Sequence, residues 1–379
     1  MTESSVDSAF VLTEKDLIKL ACMMVLATVI FGVYGLLMMI FLQWITRRTF
    51  AVDAVEKHGI SHVSSSRLGG AVIFLFSLIL VVAGYAAGVA KTANGPLGIY
   101  LFGWLGAISC ASLGMIEDLR NGQLSPRFRL VSQIFIFVVI VGIWPELIPI
   151  DVGLPIINHA LSLPILGGLL TVLCCVGFIN AVNMADGANG LMPGMVTVAF
   201  TLFYLETGGL FFASLMTSCG LFTIFNVISG RLFLGDAGAY GLGAALALSG
   251  LYLANQGVFS AAFLGVLFAY PCIELLFSLS RRVFQGKSIV LPDNDHLHNR
   301  IHFQCQRLFS SKTLANSLTG CSLSLLFSGM AMLVYLFDWL PVTSHEWGWV
   351  LLGQIFVYGV LFYLSNPNKT LITKSIKAR

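Results

Sequence analysis

The sequence predicts an all-α, polytopic integral membrane protein with about eleven transmembrane helices. Of its 379 residues, 57% are hydrophobic and 10% are charged, and the mean hydropathy is +0.88. A soluble globular chain carries about 25% charged residues, so this composition excludes that class. The apolar residues also fall in runs close to the ~20 residues that a helix needs to cross the hydrocarbon core of a bilayer.

Eleven apolar runs account for the predicted helices. They lie near residues 20–45, 69–90, 98–116, 130–144, 163–182, 191–206, 210–228, 237–254, 257–279, 314–337 and 347–364. The first run is too long for a signal-peptide core and has no basic leader, so we expect no cleavage there.

The basic residues orient these helices. With the N-terminus in the periplasm and the C-terminus in the cytoplasm, 18 of the 21 Lys and Arg residues lie on the cytoplasmic side, as the positive-inside rule requires. The eight cysteines lack Cys-x-x-Cys spacing, so neither a zinc site nor a disulfide framework is indicated. We expect one transmembrane domain over residues 1–379, with its polar motifs in cytoplasmic loops near residues 46–68, 117–129, 183–190, 229–237 and 280–313.

Polar residues recur at every third position where the fifth run ends. They are Asn180, Asn183, Asp186 and Asn189. Amides and a carboxylate at the end of a membrane helix are unfavourable unless they face protein, water or a ligand. Glycines beside Asp186 and Asn189 allow a sharp turn. We therefore expect the helix to unwind near Asp186 and to form part of a ligand site. The alternative is a helix–loop–helix corner with capped ends.

Two further cytoplasmic motifs carry carboxylates. Glu117 and Asp118 lie at the end of the third run, where they can bind a divalent cation or act as a base toward a phosphate hydroxyl. The alternative for them is an ion pair at a solvated helix end. Asp236 lies between Gly235 and Gly238, an arrangement that brings the backbone close to a ligand and directs the acid to a metal. The alternative there is a tight turn capped by the aspartate.

Histidines and one intramembrane acid complete the candidate residues. His296 and His298, followed by Arg300, offer donors to phosphate or ligands to a metal, and the alternative is a solvated loop. Two histidines without a third ligand are weak evidence for zinc. Glu274 lies inside the ninth run, and we expect it to pair with a structural partner such as Arg281.

Together the cytoplasmic loops supply carboxylates, basic and imidazole groups, and glycine-rich backbone. Arg231, beside the Asp236 motif, adds a cation that can bind phosphate or extend toward water. Phosphoryl transfer uses this set, because it needs positioned reactants and neutralised charge on the transferring group. We therefore predict Mg²⁺ as the cofactor, with Mn²⁺ as a substitute. Since the motifs lie at the membrane interface, we expect one substrate to be a lipid.

Taken in order, these motifs resemble those of the polyprenyl-phosphate N-acetylhexosamine 1-phosphate transferase superfamily, or glycosyltransferase family 4. The likeness covers about residues 67–300 and extends to the eleven-span layout with the N-terminus outside. The chain resembles most the branch that acts on undecaprenyl phosphate, because the muramoyl-pentapeptide branch carries a run of three histidines that is absent here. The resemblance implies transfer of a sugar 1-phosphate from a UDP-sugar to the lipid phosphate, with Mg²⁺, giving a lipid diphosphate-sugar and UMP.

The resemblance also implies roles for individual residues. Glu117 and Asp118 fall on the family's Asp-Asp pair, and with Asp186 they would position or deprotonate the lipid phosphate. Asp236 resembles the Mg²⁺ ligand, and Phe233 resembles a stacking surface for uracil. The substrate-binding residues that we predict are Asn180, Asn183, Asn189, Phe233, Arg231, His296, His298 and Arg300.

Three positions depart from the family pattern. Glu117 replaces the first Asp of the pair, Asn189 replaces the second Asp of the central motif, and Glu274 replaces an intramembrane Asp. Moving a charge by ~1 Å can cost about 100-fold in rate. These changes therefore bear on sugar specificity, nucleotide contacts and activity.

The predicted protein is a multi-pass enzyme of the bacterial inner membrane. We expect it to bind a UDP-N-acetylamino sugar and undecaprenyl phosphate, to start O-antigen-like cell-envelope polysaccharide, to be compatible with a homodimer and to have no nucleic-acid partner. One alternative is a transporter or translocase of UDP-sugars or lipid phosphates, although transporters place ionisable groups near the midplane of repeated halves. The other is a family member that binds without turnover, which Glu117 and Asn189 motivate.

Overall fold

A computed structural model describes residues 14–46, 52–53, 65–89, 97–120, 123–288 and 294–366. These residues form fifteen α-helices and one two-stranded antiparallel sheet. The first eight helices are α1 (Glu14–Ile45), α2 (Gly69–Ala86), α3 (Leu97–Leu119), α4 (Pro126–Ile143), α5 (Pro155–Ser162), α6 (Pro164–Ala185), α7 (Leu191–Thr207) and α8 (Leu210–Ser229). The other seven are α9 (Gly235–Asn255), α10 (Ala261–Leu267), α11 (Ala269–Phe284), α12 (Leu297–Leu308), α13 (Lys312–Ser324), α14 (Met330–Leu336) and α15 (Trp347–Leu364).

Short elements connect or accompany these helices. The strands are β1 (Val52–Asp53) and β2 (Ser65–Ser66). A 3-10 turn spans Pro145–Leu147, and a π-helical turn, Leu325–Gly329, joins α13 to α14. Most of the predicted loop at 46–68, and residues 289–293 of the predicted loop at 280–313, lie outside the described residues.

The all-α, polytopic class is confirmed. Within the described residues, α1, α2, α4, α6, α8, α9, the α13–α14 segment and α15 are long and apolar enough to cross a membrane. The pair α10 and α11 passes the same test together. Each of the eleven predicted runs overlaps a helix, but α3 and α7 are not among those that pass. The count of eleven and the orientation of the termini therefore stay predictions.

The ninth predicted run is not one straight helix. It is broken at Phe268, where the axes of α10 and α11 differ by 78°. Ser328, in the π-helical turn, donates a hydrogen bond of 2.7 Å to the carbonyl oxygen of Leu267, beside the break. Backbone groups freed by a helix break need such partners at membrane depth. The sequence prediction missed the bend because the apolar pattern continues through it.

The core is organised around α9, in which 83% of the membrane-crossing window is buried. It packs against α2, α3 and α6. At its start the approach of α3 is very close, because a Cβ atom on Gly114 would lie 2.3 Å from the carbonyl carbon of Asp236. Small residues permit such backbone approach between membrane helices. This contact sets the end of α3 beside the start of α9.

Candidate active site

Three helix ends bring the predicted acids together. Asp118 lies in the last turn of α3, Asp186 directly follows α6, and Asp236 lies in the first turn of α9. The amide of Asn183 donates a hydrogen bond of 2.6 Å to Oδ1 of Asp236, which ties α6 to α9. The predicted unwinding at Asp186 is confirmed, since α6 ends at Ala185.

Asp118 holds the N-terminus of α9. Its Oδ1 accepts the backbone N–H of Asp236 at 3.1 Å, and its Oδ2 accepts that of Ala237 at 2.9 Å. The first N–H groups of a helix lack partners within the helix, and a carboxylate there is favoured by the helix dipole. Gly235 makes the turn possible with φ of +73°, and a Cβ atom there would lie 2.0 Å from the carbonyl oxygen of Arg67. The structure thus gives Asp118 two backbone partners that the sequence did not reveal.

Asp186 is the acid whose oxygens remain available. Its carboxylate forms no hydrogen bond or ion pair with any other described residue. The pKa of Asp186 is raised to about 8, first by burial and then by the negative charges of Asp236 and Asp118. A buried carboxyl group that faces two others favours a bound proton or a nearby cation.

The donor set fits Mg²⁺. This ion takes oxygen ligands, usually one or two carboxylates with waters and substrate phosphates, and rarely a closed cage of side chains. Asp186 offers free carboxylate oxygens beside Asp236, whose Oδ1 is fixed by Asn183. No group of three or more His, Cys, Asp or Glu side chains in the described part of the chain forms a ready-made metal cage. The oxygens of Asp186 beside Asp236 suit a metal whose coordination is completed by substrate oxygens.

Glu117 contacts α4 and the connection that precedes it. Its Oε2 accepts the backbone N–H of Leu124 at 3.0 Å, and its Oε1 lies 3.4 Å from Nη1 of Arg129. The same Nη1 lies 3.8 Å from Oδ2 of Asp236 and 3.5 Å from the hydroxyl of Tyr240. Arg129 is thus the cation that links Glu117 to the acid of α9.

Arg129 was not among the site residues predicted from the sequence, where it contributed only to the membrane orientation. The spacing of Glu117 and Arg129 along the chain could have indicated this contact. A short connection between α3 and α4 makes the two helices neighbours, so a basic residue in the first turn of α4 lies near an acid in the last turn of α3.

Asn180 and Asn189 do not face the three carboxylates in the same way as Asn183. Asn180 donates to Oε1 of Gln133 on α4 at 2.7 Å. Asn189 is 2% exposed, and its backbone N–H donates to Oδ1 of Asn316 on α13 at 2.8 Å. Its side chain lies 3.4 Å from the hydroxyl of Ser317. In the structure Asn189 contacts α13, and its contact with the nucleotide stays a prediction.

The loop that carries Arg231 and Phe233 pairs with the segment before α2. Ser66 N–H donates to the carbonyl of Arg231 at 3.2 Å, and Phe233 N–H donates to the carbonyl of Ser66 at 2.9 Å. Gly69 N–H donates in turn to the carbonyl of Phe233 at 3.1 Å. Both side chains are half-buried. The backbone ladder fixes Phe233 two residues before the turn at Gly235.

His296 and His298 stack on each other at the start of α12. Their ring centroids are 5.4 Å apart and their planes differ by 14°. Glu274 accepts from Nδ1 of His296 at 3.0 Å and from the backbone N–H of Leu297 at 3.1 Å. Glu274 has a structural partner, as expected, but this partner is His296 and not Arg281. The chain distance of 22 residues hid this pairing from sequence inspection.

His298 connects this pair to the central motif. Its Nδ1 lies 3.0 Å from the hydroxyl of Tyr270, and a Cβ atom on Gly187 would lie 2.1 Å from its Nε2. The pKa of His298 is lowered to about 4, mainly by burial; Glu274 opposes the shift and His296 adds to it. The ring is therefore neutral near pH 7.

Arg300 contacts residues outside the histidine pair. It forms a bidentate pair with Asp295, through Nε at 2.6 Å and Nη2 at 2.8 Å, and its Nη1 donates to the carbonyl of Phe362 at 2.9 Å. Its guanidinium also lies 3.6 Å from the centre of the Phe362 ring. These contacts fasten α12 to α15, and the contact of Arg300 with phosphate stays a prediction.

The chain is similar to a known protein family and to several of its members. Residues 100–254, which run from α3 to the end of α9, match the family described as glycosyl transferase family 4. The chain is 28% identical over 261 residues to a probable undecaprenyl-phosphate N-acetylglucosaminyl 1-phosphate transferase of Bacillus subtilis, covering 66% of this chain and 69% of that relative. It is 26% identical over 294 residues to a phospho-N-acetylmuramoyl-pentapeptide-transferase of Staphylococcus carnosus, covering 72% and 89%.

The family model and both relatives are consistent with the polyprenyl-phosphate hexosamine 1-phosphate transferase superfamily. This confirms the resemblance found in its motifs. Relatives from two branches match at similar identity, so the branch and its substrate are not decided by these matches. 

Proposed function

We propose that this chain transfers a sugar 1-phosphate from a nucleotide diphosphate-sugar to a polyprenyl phosphate. The similarity to this superfamily and the names of the two relatives support this reaction class. The main observation in support of this proposal is that Asp118, Asp186 and Asp236 lie close together at three helix ends. Phosphoryl transfer depends on such preorganised charge and positioning.

In its finer form, the donor is a UDP-N-acetylamino sugar and the acceptor is undecaprenyl phosphate. The products are UMP and a lipid diphosphate-sugar, which starts O-antigen-like polysaccharide at the bacterial inner membrane. The name of the Bacillus subtilis relative and the single His-x-His motif at His296 and His298 support this branch. We assign the whole chain to one catalytic domain.

The reaction forms one phosphorus–oxygen bond and breaks another. An oxygen of the lipid phosphate attacks the β-phosphorus of the UDP-sugar, and the bond from that phosphorus to the bridging oxygen breaks. UMP leaves with the bonding electron pair. A phosphate monoester has a second pKa of about 6, so its attacking oxygen is already ionised near pH 7. The carboxylates are then needed for positioning and metal binding more than for removing a proton.

Asp236 and Asp186 would hold Mg²⁺, or Mn²⁺ in its place. The bound ion would neutralise charge on the diphosphate during transfer. Asn183 fixes one oxygen of Asp236, and Asp118 fixes the backbone on which Asp236 stands. Both contacts hold the acid in one orientation before substrate arrives, which lowers the reorganisation that the reaction requires.

The remaining residues surround the position proposed for the donor. Phe233 would stack on uracil, since its half-buried ring stands on the backbone ladder before Gly235. His296 and His298 would bind the diphosphate, and Arg231 would add a positive charge. Arg129 lies between Glu117 and Asp236 with a partly exposed side chain, so it can also attract a phosphate group.

The two departures that motivated a non-catalytic alternative have structural partners. Glu117 is bound by Arg129 and Leu124, and Asn189 is bound by Asn316 on α13. Neither residue takes the place of Asp186 or Asp236. These contacts favour a working enzyme over a family member that binds without turnover.

The experiment uses purified protein in nanodiscs with undecaprenyl phosphate and Mg²⁺. A panel of UDP-N-acetylamino sugars is tested singly for UMP release, with Asp236→Asn as the control. We expect UMP from one sugar, lost in the variant and on chelation with EDTA, and restored by Mg²⁺ or Mn²⁺. UMP release that Asp236→Asn retains at saturating Mg²⁺ would contradict the metal assignment. Tight UDP-sugar binding without UMP release from any sugar would contradict the proposed activity.

A further inference from the structure

Glu274 is a buried acid that binds the start of α12, and the hydroxyl of Tyr358 on α15 also approaches it. The residue is 0% exposed and lies on α11 after the break at Phe268. One oxygen receives Nδ1 of His296 at 3.0 Å, and the other receives the backbone N–H of Leu297 at 3.1 Å. His296 is the N-cap of α12 but makes no side-chain cap bond itself. Glu274 therefore caps α12 from a neighbouring helix.

This contact also decides which ring nitrogen of His296 is engaged. An ionised carboxylate only accepts hydrogen bonds, so Nδ1 of His296 must carry the proton that faces Glu274. The opposite nitrogen, Nε2, makes no hydrogen bond with a described residue. It is thus the nitrogen left for a ligand.

The second imidazole is held by the same face of α11. Tyr270 lies four residues before Glu274, one helical turn away, and its hydroxyl is 3.0 Å from Nδ1 of His298. Nε2 of His298 then lies against Gly187, next to Asp186. Both rings therefore have their Nδ1 atoms held by α11, and they stack nearly parallel.

We propose that Glu274 is a positioning residue that fixes the tautomer and orientation of His296, and through the stacked pair presents Nε2 of both histidines to the donor's diphosphate. The inference rests on the proposed function for the identity of the ligand. Its structural part, that Nδ1 of His296 carries the proton, can be tested in the absence of substrate. Partners that orient metal-binding imidazoles in this way contribute about 10- to 100-fold to affinity or activity, and we expect the same scale here.

The sharpest variant is Glu274→Gln, because it separates orientation from folding. The Gln carbonyl can still accept from Leu297 N–H, while its amide N–H donates to Nδ1 of His296. Both contacts survive, but the proton of His296 moves to Nε2. Glu274→Asp keeps the charge and shortens the side chain by one methylene. Glu206→Gln, on the exposed end of α7, makes the same chemical change away from α12 and is the matched control.

The test measures histidine ¹⁵N chemical shifts without substrate, together with thermal unfolding and the kinetics of UMP release. For Glu274→Gln we expect the His296 signals to change to the Nε2–H tautomer, an unchanged unfolding midpoint and kcat/KM lowered about 10- to 100-fold. Glu274→Asp should restore most of the activity, and Glu206→Gln should behave as wild type.

Unchanged ¹⁵N signals in Glu274→Gln would overturn the positioning role, whatever the enzyme's activity. Changed signals with kcat/KM within threefold of wild type would overturn it as well, because the tautomer would then not matter to the reaction. Wild-type protein that releases no UMP would instead contradict the proposed function, and the ¹⁵N comparison would still report on Glu274 alone.

Discussion

Asp118 accepts the backbone N–H groups of both Asp236 and Ala237, so the acid of α3 holds the first turn of α9. One carboxylate thereby fixes the position of another. Because Asp118 binds backbone groups and Asp236 does not, loss of charge at these two acids should affect stability and activity differently.

We expect Asp118→Asn to lower both stability and activity. The Asn oxygen can accept only one of the two N–H groups at full strength, and its amide would face the other donor, at a cost of about 1–3 kcal/mol. Asp236→Asn removes no backbone contact and relieves repulsion with Asp186, so it should abolish transfer without lowering the unfolding midpoint. Thermal unfolding in detergent and UMP release measure the two effects. An Asp118→Asn protein as stable and active as wild type would contradict the capping role.

Gly187 tests the contact between the central motif and the histidines. A Cβ atom at this position would lie 2.1 Å from Nε2 of His298. Gly187→Ala should therefore displace the His298 ring and lower kcat/KM by about 10- to 100-fold, the scale for a misplaced site group. Gly177→Ala on α6 is the matched control, because a Cβ atom there meets nothing within 4 Å. Equal activities of the two variants would show that the His298 contact is not needed.

Arg129→Gln should reduce activity and stability together. Glu117 is 3% exposed, and it would lose the cation that lies 3.4 Å away. Because Arg129 is partly exposed, the stability cost is about 1–2 kcal/mol, below that of breaking a fully buried pair. Arg127→Gln, an exposed neighbour on the same helix, provides the control. The prediction fails if both variants retain wild-type UMP release and unfolding midpoints.

The lowered pKa of His298 should make the free energy of unfolding depend on pH. Its pKa is lowered to about 4 in the folded protein, mainly by burial, from an ordinary value of about 6.5. Between these values the unfolded chain binds a proton that the folded protein does not, so the free energy of unfolding falls as pH drops from about 6.5 to about 4. Above pH 6.5 this contribution is constant.

Comparing His298→Gln with wild type isolates that contribution, because both proteins share the other titrating groups. The variant should lose less of its unfolding free energy over the same acidic range in chemical denaturation. If the difference between variant and wild type is the same at pH 7 and pH 4.5, His298 does not enter the folded state neutral.

Several features of this molecule were readable from residue order alone. The composition and apolar runs predicted the all-α membrane class, because the cost of burying charge in lipid leaves few alternatives. The end of α6 at Ala185 was also predictable, since polar residues and glycines there oppose a continued membrane helix. These inferences depend on local chemistry and need no tertiary partner.

The contact partner of each polar side chain could not be predicted from the sequence in the same way. Glu274 had Arg281 within two helical turns, yet it binds His296 at the start of α12, 22 residues away. Arg300 looked like a phosphate ligand by type, but Asp295 and Phe362 engage it. Asn189 belongs to a site motif, and its burial against α13 became visible only in the fold. Residue type limits what a side chain can bind, whereas packing decides which partner it meets.

The central claim is that the sugar and its attached phosphate move together to the lipid. The most direct measurement uses a UDP-N-acetylamino sugar carrying ³²P at the β-phosphate and ¹⁴C in the sugar, with undecaprenyl phosphate in nanodiscs. We predict that the lipid product contains both labels in equal amounts, with one UMP released for each lipid formed. Lipid that carries ¹⁴C without ³²P, together with release of UDP, would contradict the account and indicate transfer of the sugar alone.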